Sequence, residues 1–65
     1  IAKRGKKIGF EFKYADAPKL TKSMHIALND LKLDALYVVH PGTNRFPLAP
    51  QVEAISLREA TTLII

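Results

Sequence analysis

The stretch Ile8-Gly9-Phe10-Glu11-Phe12-Lys13-Tyr14 alternates without a break between large apolar residues and small or charged ones. Successive side chains of a strand point to opposite faces, so Ile8, Phe10, Phe12 and Tyr14 share one face and Gly9, Glu11 and Lys13 the other. The pattern predicts a strand over 8–14 with one apolar and one wet face. Just upstream, Arg4-Gly5-Lys6 reads as a tight turn, because glycine tolerates positive φ. Residues 1–3 then form the stub of a preceding antiparallel strand. Downstream, Asp16-Ala17-Pro18 breaks the strand, since Pro18 supplies no backbone donor and restricts Ala17.

A helix fits residues 22–32, with Thr21 as its N-cap. Leu20, Met24, Ala27, Leu28 and Leu31 recur at helical spacing and form its apolar stripe. Lys22, His25, Asn29 and Lys32 take the solvated side, with Ile26 among them. The stripe is expected to cover the apolar face of the first strand. Residues 35–40, Ala-Leu-Tyr-Val-Val-His, are a near-continuous apolar run, the signature of a strand covered on both faces and a fit for the parallel partner in a β-α-β unit. Three prolines and a glycine make residues 41–50 a loop. Val52 to Leu57 reads as a last short strand at a sheet edge. Arg58 to Ile65 could start a second helix, leaving Leu63, Ile64 and Ile65 without a visible partner. The predicted class is α/β: one small domain over 1–65, a β-α-β unit with an additional short edge strand.

Sixty-five residues permit one domain. A chain of that size buries only about 60% of its unfolded surface, so its core needs help. With no cysteine and only two histidines, disulfides and zinc-type sites are excluded as that help. Self-association or a parent protein is expected instead, and homo-oligomers are the predicted partners. The first residue is Ile1 rather than methionine, and a strand is under way at once, which suggests a segment of something longer. No apolar h-region follows the first basic residues, and no run approaches the roughly 20 apolar residues of a membrane helix. A cytoplasmic protein with no membrane partner is expected. Seven of the ten basic side chains fall in residues 1–22, against two of the six acidic ones. Such a concentrated positive field attracts phosphates, and Lys3, Arg4, Lys6, Lys7, Lys19 and Lys22 are the candidate nucleic-acid contacts. A plain solvated face is the competing reading.

Glu11 and Lys13 are the candidate chemical pair. Two residues apart on a strand, they lie on one face about 6–7 Å apart along the chain. In phosphodiester hydrolysis a carboxylate helps hold Mg²⁺, and a neighbouring lysine positions water or balances charge on the phosphorus. The bland alternative is a charged pair decorating a wet face. The wider sequence adds to the pair. Gly9-Phe10-Glu11-Phe12-Lys13, Asp16-Ala17-Pro18, Leu20-Thr21-x-Ser23-Met24, Ala27-Leu28-x-Asp30-Leu31, Val38-Val39-x-Pro41-Gly42 and Pro47-Leu48 occur in that order. Together they resemble the C-terminal domain of a family of bacterial and archaeal AAA+ ATPases of unknown function, over roughly residues 3–60.

That family domain is similar to the restriction-endonuclease-like, or PD-(D/E)xK, fold, so the resemblance implies a truncated version of it here. It also implies that Glu11 and Lys13 are the catalytic positions and Glu11 a metal position, with Mg²⁺ as the cofactor of any catalysis. The family's other acid precedes the turn at Gly5, where this sequence offers Ile1, Ala2 and Lys3. One metal ligand is therefore absent from the sequence, and the pair reads as degenerate. No Gly-x-x-x-x-Gly-Lys-Ser/Thr loop occurs, so ATP binding is not expected of this chain. The expectation is a non-catalytic, nuclease-like accessory or assembly domain of an ATPase-family protein that requires no cofactor. The alternatives are a metal-dependent DNA nuclease completed by upstream sequence or another subunit, and a basic nucleic-acid-binding module. Asp16 reads as a turn former, His25 as a solvent-facing helix residue and His40 as a hydrogen-bonded structural residue. Arg45 and Phe46 fall in the predicted loop, where they could touch a partner.

Overall fold

A computed structural model describes residues 1–14 and 18–64; Asp16 and Ala17 of the predicted strand break lie outside the described residues. Five strands and two helices follow one another: β1 (Ala2–Lys3), β2 (Lys6–Phe12), α1 (Lys22–Asp30), β3 (Ala35–His40), β4 (Phe46–Ala49), β5 (Val52–Ser56) and α2 (Leu57–Ile64). They build one mixed sheet in the order β1-β2-β3-β5-β4. β2, β3 and β5 run parallel, while β1 and β4 pair antiparallel at the two edges. The predicted parallel pair with a helix between its strands is present, registered from Ile8 opposite Ala35 to Phe12 opposite Val39.

The first hairpin turns at Arg4 and Gly5, both with positive φ (54° and 80°), as primed two-residue turns require. Thr21 caps α1 as expected, its Oγ1 accepting from the Met24 N–H. The helix stops at Asp30, two residues short of the prediction. There the Leu33 N–H donates to the Leu28 carbonyl and the Lys32 N–H to the Asn29 carbonyl, which is the Schellman closure. Lys32 occupies its left-handed position at φ 51°, where glycine would be the unstrained choice.

Three expectations are corrected. First, β5 is not an edge strand, because the segment read as a loop contains β4, which takes that edge. Pro47 is accommodated there because an edge strand has one side on which a missing N–H leaves no ladder bond broken. Second, the helix stripe does not cover the apolar face of β2. Met24 packs with Leu36, Val38 and Val52, joined by Leu20, Leu28 and Leu33. By register, that is the face of Gly9 and Glu11. Gly9 is what allows the approach: a Cβ there would lie 2.6 Å from Leu33 Cδ1. Leu31, assigned to the stripe, stays exposed.

Third, Leu63 does not lack a partner, because the second helix anticipated from Arg58 forms as α2 and covers the opposite face. α2 lays Ala60 and Leu63 against Val39, Ile55, Phe10 and Tyr37, and the Phe10 and Tyr37 rings stack at 5.7 Å. α2 starts on a Ser-x-x-Glu capping box: the Glu59 N–H donates to Ser56 Oγ, and the Ser56 N–H and Oγ both donate to Glu59 Oε1. That four-residue signal was present in the sequence.

Replacing Met24 by alanine should cost about 2–5 kcal/mol, the range for truncating a fully buried large side chain. Ile26→Ala, on the outer side of α1, should change stability by less than about 0.5 kcal/mol. Urea unfolding of the two variants decides which side of α1 is buried; equal losses would refute the assignment.

Candidate functional site

Glu11 and Lys13 meet near the C-terminal end of β2. Lys13 Nζ lies 3.6 Å from Glu11 Oε2, and the side chains are 41% and 30% exposed. Their face is not the wet face the alternation suggested. Glu11 pairs in register with Val38, a core residue beneath α1, so its carboxylate sits at the rim of a packed layer. Oε2 is buried and accepts no hydrogen bond from the described residues. Its compensation is the nearby ammonium, which makes the pair a local charge balance at the sheet's end.

A hard divalent ion prefers a shell of about six oxygens with more than one anionic donor. No group of three His, Asp or Glu side chains gathers among the described residues. Glu53 and Glu59 are on the far face of the sheet, held by Arg45. Glu11 is thus the single described carboxylate at this site, with a cation beside it. The described residues alone supply too few anionic donors for a magnesium shell, so no chemical step through a metal follows from them.

His40, at the end of β3, is 2% exposed. Its Nε2 donates to the Asn44 carbonyl at 2.9 Å, and its Nδ1 accepts from the Gly42 N–H at 3.1 Å. Phe46 lies beside the ring, centroid to centroid 5.7 Å. The histidine therefore organises the Pro41–Arg45 connection, the structural role expected of it. Arg45 and Phe46 are engaged within the fold rather than standing on an open loop. Arg45 donates through Nε and Nη2 to the two oxygens of Glu53, and through Nη1 to Glu59 Oε2 at 3.2 Å. It ties β5 to α2. Those carboxylates, Glu53 first, raise the guanidinium above its ordinary range. Glu59 is held below the usual carboxylate value, first by the Ser56 backbone N–H and then by Arg45 and the Ser56 hydroxyl, against a partial desolvation that acts the other way. The sequence offered a clue here in the opposite charges of Arg45, Glu53 and Glu59, but their meeting needed the β4–β5 pairing.

The basic side chains do not converge. Lys3 and Lys6 are paired across the β1–β2 hairpin, and Lys3 Nζ donates to the Leu63 carbonyl at the end of α2. Lys7 points to the other face, donating to the Leu31 carbonyl at the end of α1. Arg4 is in the turn itself. Lys19 and Lys22 lie beyond the opposite end of β2, before and at the start of α1. All six are exposed. The positive charge is therefore distributed over both faces and both ends of the sheet.

The chain is similar to two mycobacterial proteins, the uncharacterised protein Mb2031c of Mycobacterium bovis and the uncharacterised protein Rv2008c of Mycobacterium tuberculosis. Each is 41% identical over 58 residues, covering 89% of this chain and 13% of the relative. The chain thus spans a small fraction of the length of the relatives it matches. No family model matches it, and no solved structure does. No helix of the described residues is long and apolar enough to cross a membrane.

The Glu59 contacts have a pH signature. Because Glu59 is more acidic in the fold than in the unfolded chain, its stabilisation is fully present above the ordinary value of 4.5 and fades as pH falls through the lower folded value. Glu59→Gln should be less stable than the parent at neutral pH, and the gap should narrow below pH 4.5. Urea unfolding at several pH values between 7 and 3 tests this; a gap that is constant across the range contradicts it.

Proposed function

We propose that this chain is a nuclease-like accessory or assembly domain of an ATPase-family protein and does no catalysis of its own. The observation that carries the reading is the Glu11–Lys13 contact at the end of a parallel strand, with the family-like motifs around it and no second described carboxylate beside it. The parallel β2-α1-β3 unit, with Glu11 and Lys13 at the end of its first strand, supports this reading. The mycobacterial relatives support the accessory role, because the segment they share with this chain is a small part of a much longer polypeptide. ATP would be bound elsewhere in such a protein, which we place in the cytoplasm.

Assembly is the second half of the proposal, and self-association is its simplest form. Phe12, Tyr14, Leu57 and Ile64 are 65%, 99%, 57% and 50% exposed. α2 uses its inner side on the sheet, so Leu57 and Ile64 are available to a second copy. A twofold dimer is the commonest way for identical chains to bury such residues.

Purified chain incubated with DNA and Mg²⁺ or Mn²⁺ should leave the DNA intact, and Glu11→Ala should change nothing. Cleavage lost in Glu11→Ala would establish the metal-dependent nuclease reading instead. Retention of DNA without cleavage, weakened steeply by salt, would favour the basic nucleic-acid-binding module. Sedimentation equilibrium should give a dimer or larger species at micromolar concentration, shifted toward monomer in Leu57→Asp. A folded monomer throughout would end the self-association proposal.

A further inference from the structure

We infer that His40 is an acid-sensitive latch on the Pro41–Arg45 connection. Each ring nitrogen of His40 has one partner. A carbonyl oxygen can only accept, so the Asn44 contact requires a proton on Nε2; a backbone N–H can only donate, so the Gly42 contact requires a bare lone pair on Nδ1. Both nitrogens are thereby committed, and the fold accepts one form of the side chain, the neutral imidazole with its proton on Nε2. A second proton would have to go to Nδ1, where it would confront the Gly42 N–H, donor against donor. The ring is 2% exposed and lies beside Phe46, so water cannot take over from Gly42 without movement of the loop.

Among the described residues, the surrounding charges do not offer the imidazolium a ready partner. Just past β2, Lys13 lines the same surface cleft as His40, and Glu11 on β2 already has Lys13 beside it. β5 contributes the uncharged Ser56 in register with His40, while Glu53 is on the reverse face with Arg45. β4 contributes Phe46. From α2, Glu59 is occupied by Ser56 and Arg45, and Arg58 is a further cation. On α1 and the turn that closes it, Lys22, His25, Asp30 and Lys32 are exposed. Protonation therefore opposes the loop geometry and gains no ion pair from the described residues in exchange. The loop it would free supplies Pro41, Gly42, Thr43 and Arg45 to a cavity of about 510 Å³ that also includes Ser56 and Glu59. Acid would thus open one wall of that cavity and loosen the Arg45 bridge between β5 and α2.

The test uses the intact chain. Long-range ¹H–¹⁵N spectra at neutral pH should show His40 as the Nε2–H tautomer. Hydrogen exchange of the Gly42 amide, expressed as protection relative to its intrinsic rate, is then followed from pH 8 to 4. Below the onset, Gly42 protection should fall by up to about tenfold per pH unit, the limit for uptake of one proton on opening. His25→Gln, on the exposed side of α1, is the control: it should leave the Gly42 profile unchanged. In His40→Gln the pH-dependent loss should vanish; should that variant not fold, the parent chain's tautomer and Gly42 profile decide alone. Constant Gly42 protection, a loss confined to the carboxylate range below pH 4.5, or an unchanged loss in folded His40→Gln would each overturn the inference.

Discussion

Everything in this fold depends on β3 being covered from both sides. Leu36 and Val38 point into the layer beneath α1, and Val39 into the layer beneath α2. The strand also has parallel neighbours on both edges, β2 and β5, so its backbone groups are paired as well as its side chains buried. Apolar burial is worth roughly 25 cal/mol per Å², and in a chain this short few segments can bury side chains in two directions. Loss of either helix would expose one side of β3 and leave the other layer without a rigid floor. The two small cores are therefore coupled through one strand.

Much of this was legible in the sequence, and the errors have identifiable causes. The apolar run from Ala35 to His40 gave away the central strand, because burial on both faces removes alternation. The Leu20, Met24 and Leu28 spacing revealed α1, and Thr21 its start. Alternation in β2 correctly separated its faces but misled about which one the helix covers. The large residues appeared to demand α1, whereas the face with Gly9 offered the room for Leu33 to approach. Phe10 found its cover in α2 instead, a helix that periodicity over eight residues could barely announce but that the Ser56–Glu59 capping box did. Edge strand β4 was hidden by Pro47 and Pro50, residues that usually mark loops. Their tolerance depends on strand order, which is a tertiary property.

The site was legible to a lesser degree. Glu11 and Lys13 were identifiable from their spacing, and their contact bears out the geometry of a two-residue period. That their face is a packed rim rather than a wet surface required knowing where α1 lands. The basic residues illustrate the converse limit. Their clustering in the first 22 residues suggested a common surface, yet a hairpin and a strand send neighbouring lysines to opposite faces, and β2 separates the two groups along the sheet. Proximity in sequence is a poor guide to a charged patch whenever strands are involved. Arg45 shows the same limit in reverse, since its carboxylate partners are eight and fourteen residues away.

The strand order also constrains how the molecule can assemble from an unfolded chain. Each antiparallel pair, β1 with β2 and β4 with β5, joins segments only a few residues apart, so its closure costs little entropy. The parallel pairs are different: β2 reaches β3 only after the whole of α1 has been spanned, and β3 reaches β5 only around β4. Until those longer loops close, β3 has no neighbour on either edge. The strand that later unites both cores is thus the one with no local partner, and topology of that kind slows folding relative to helical chains of equal length. Cooperativity follows from the same fact. Neither hairpin owns enough apolar surface to persist alone, so productive collapse must bring β3 to both of them within one transition.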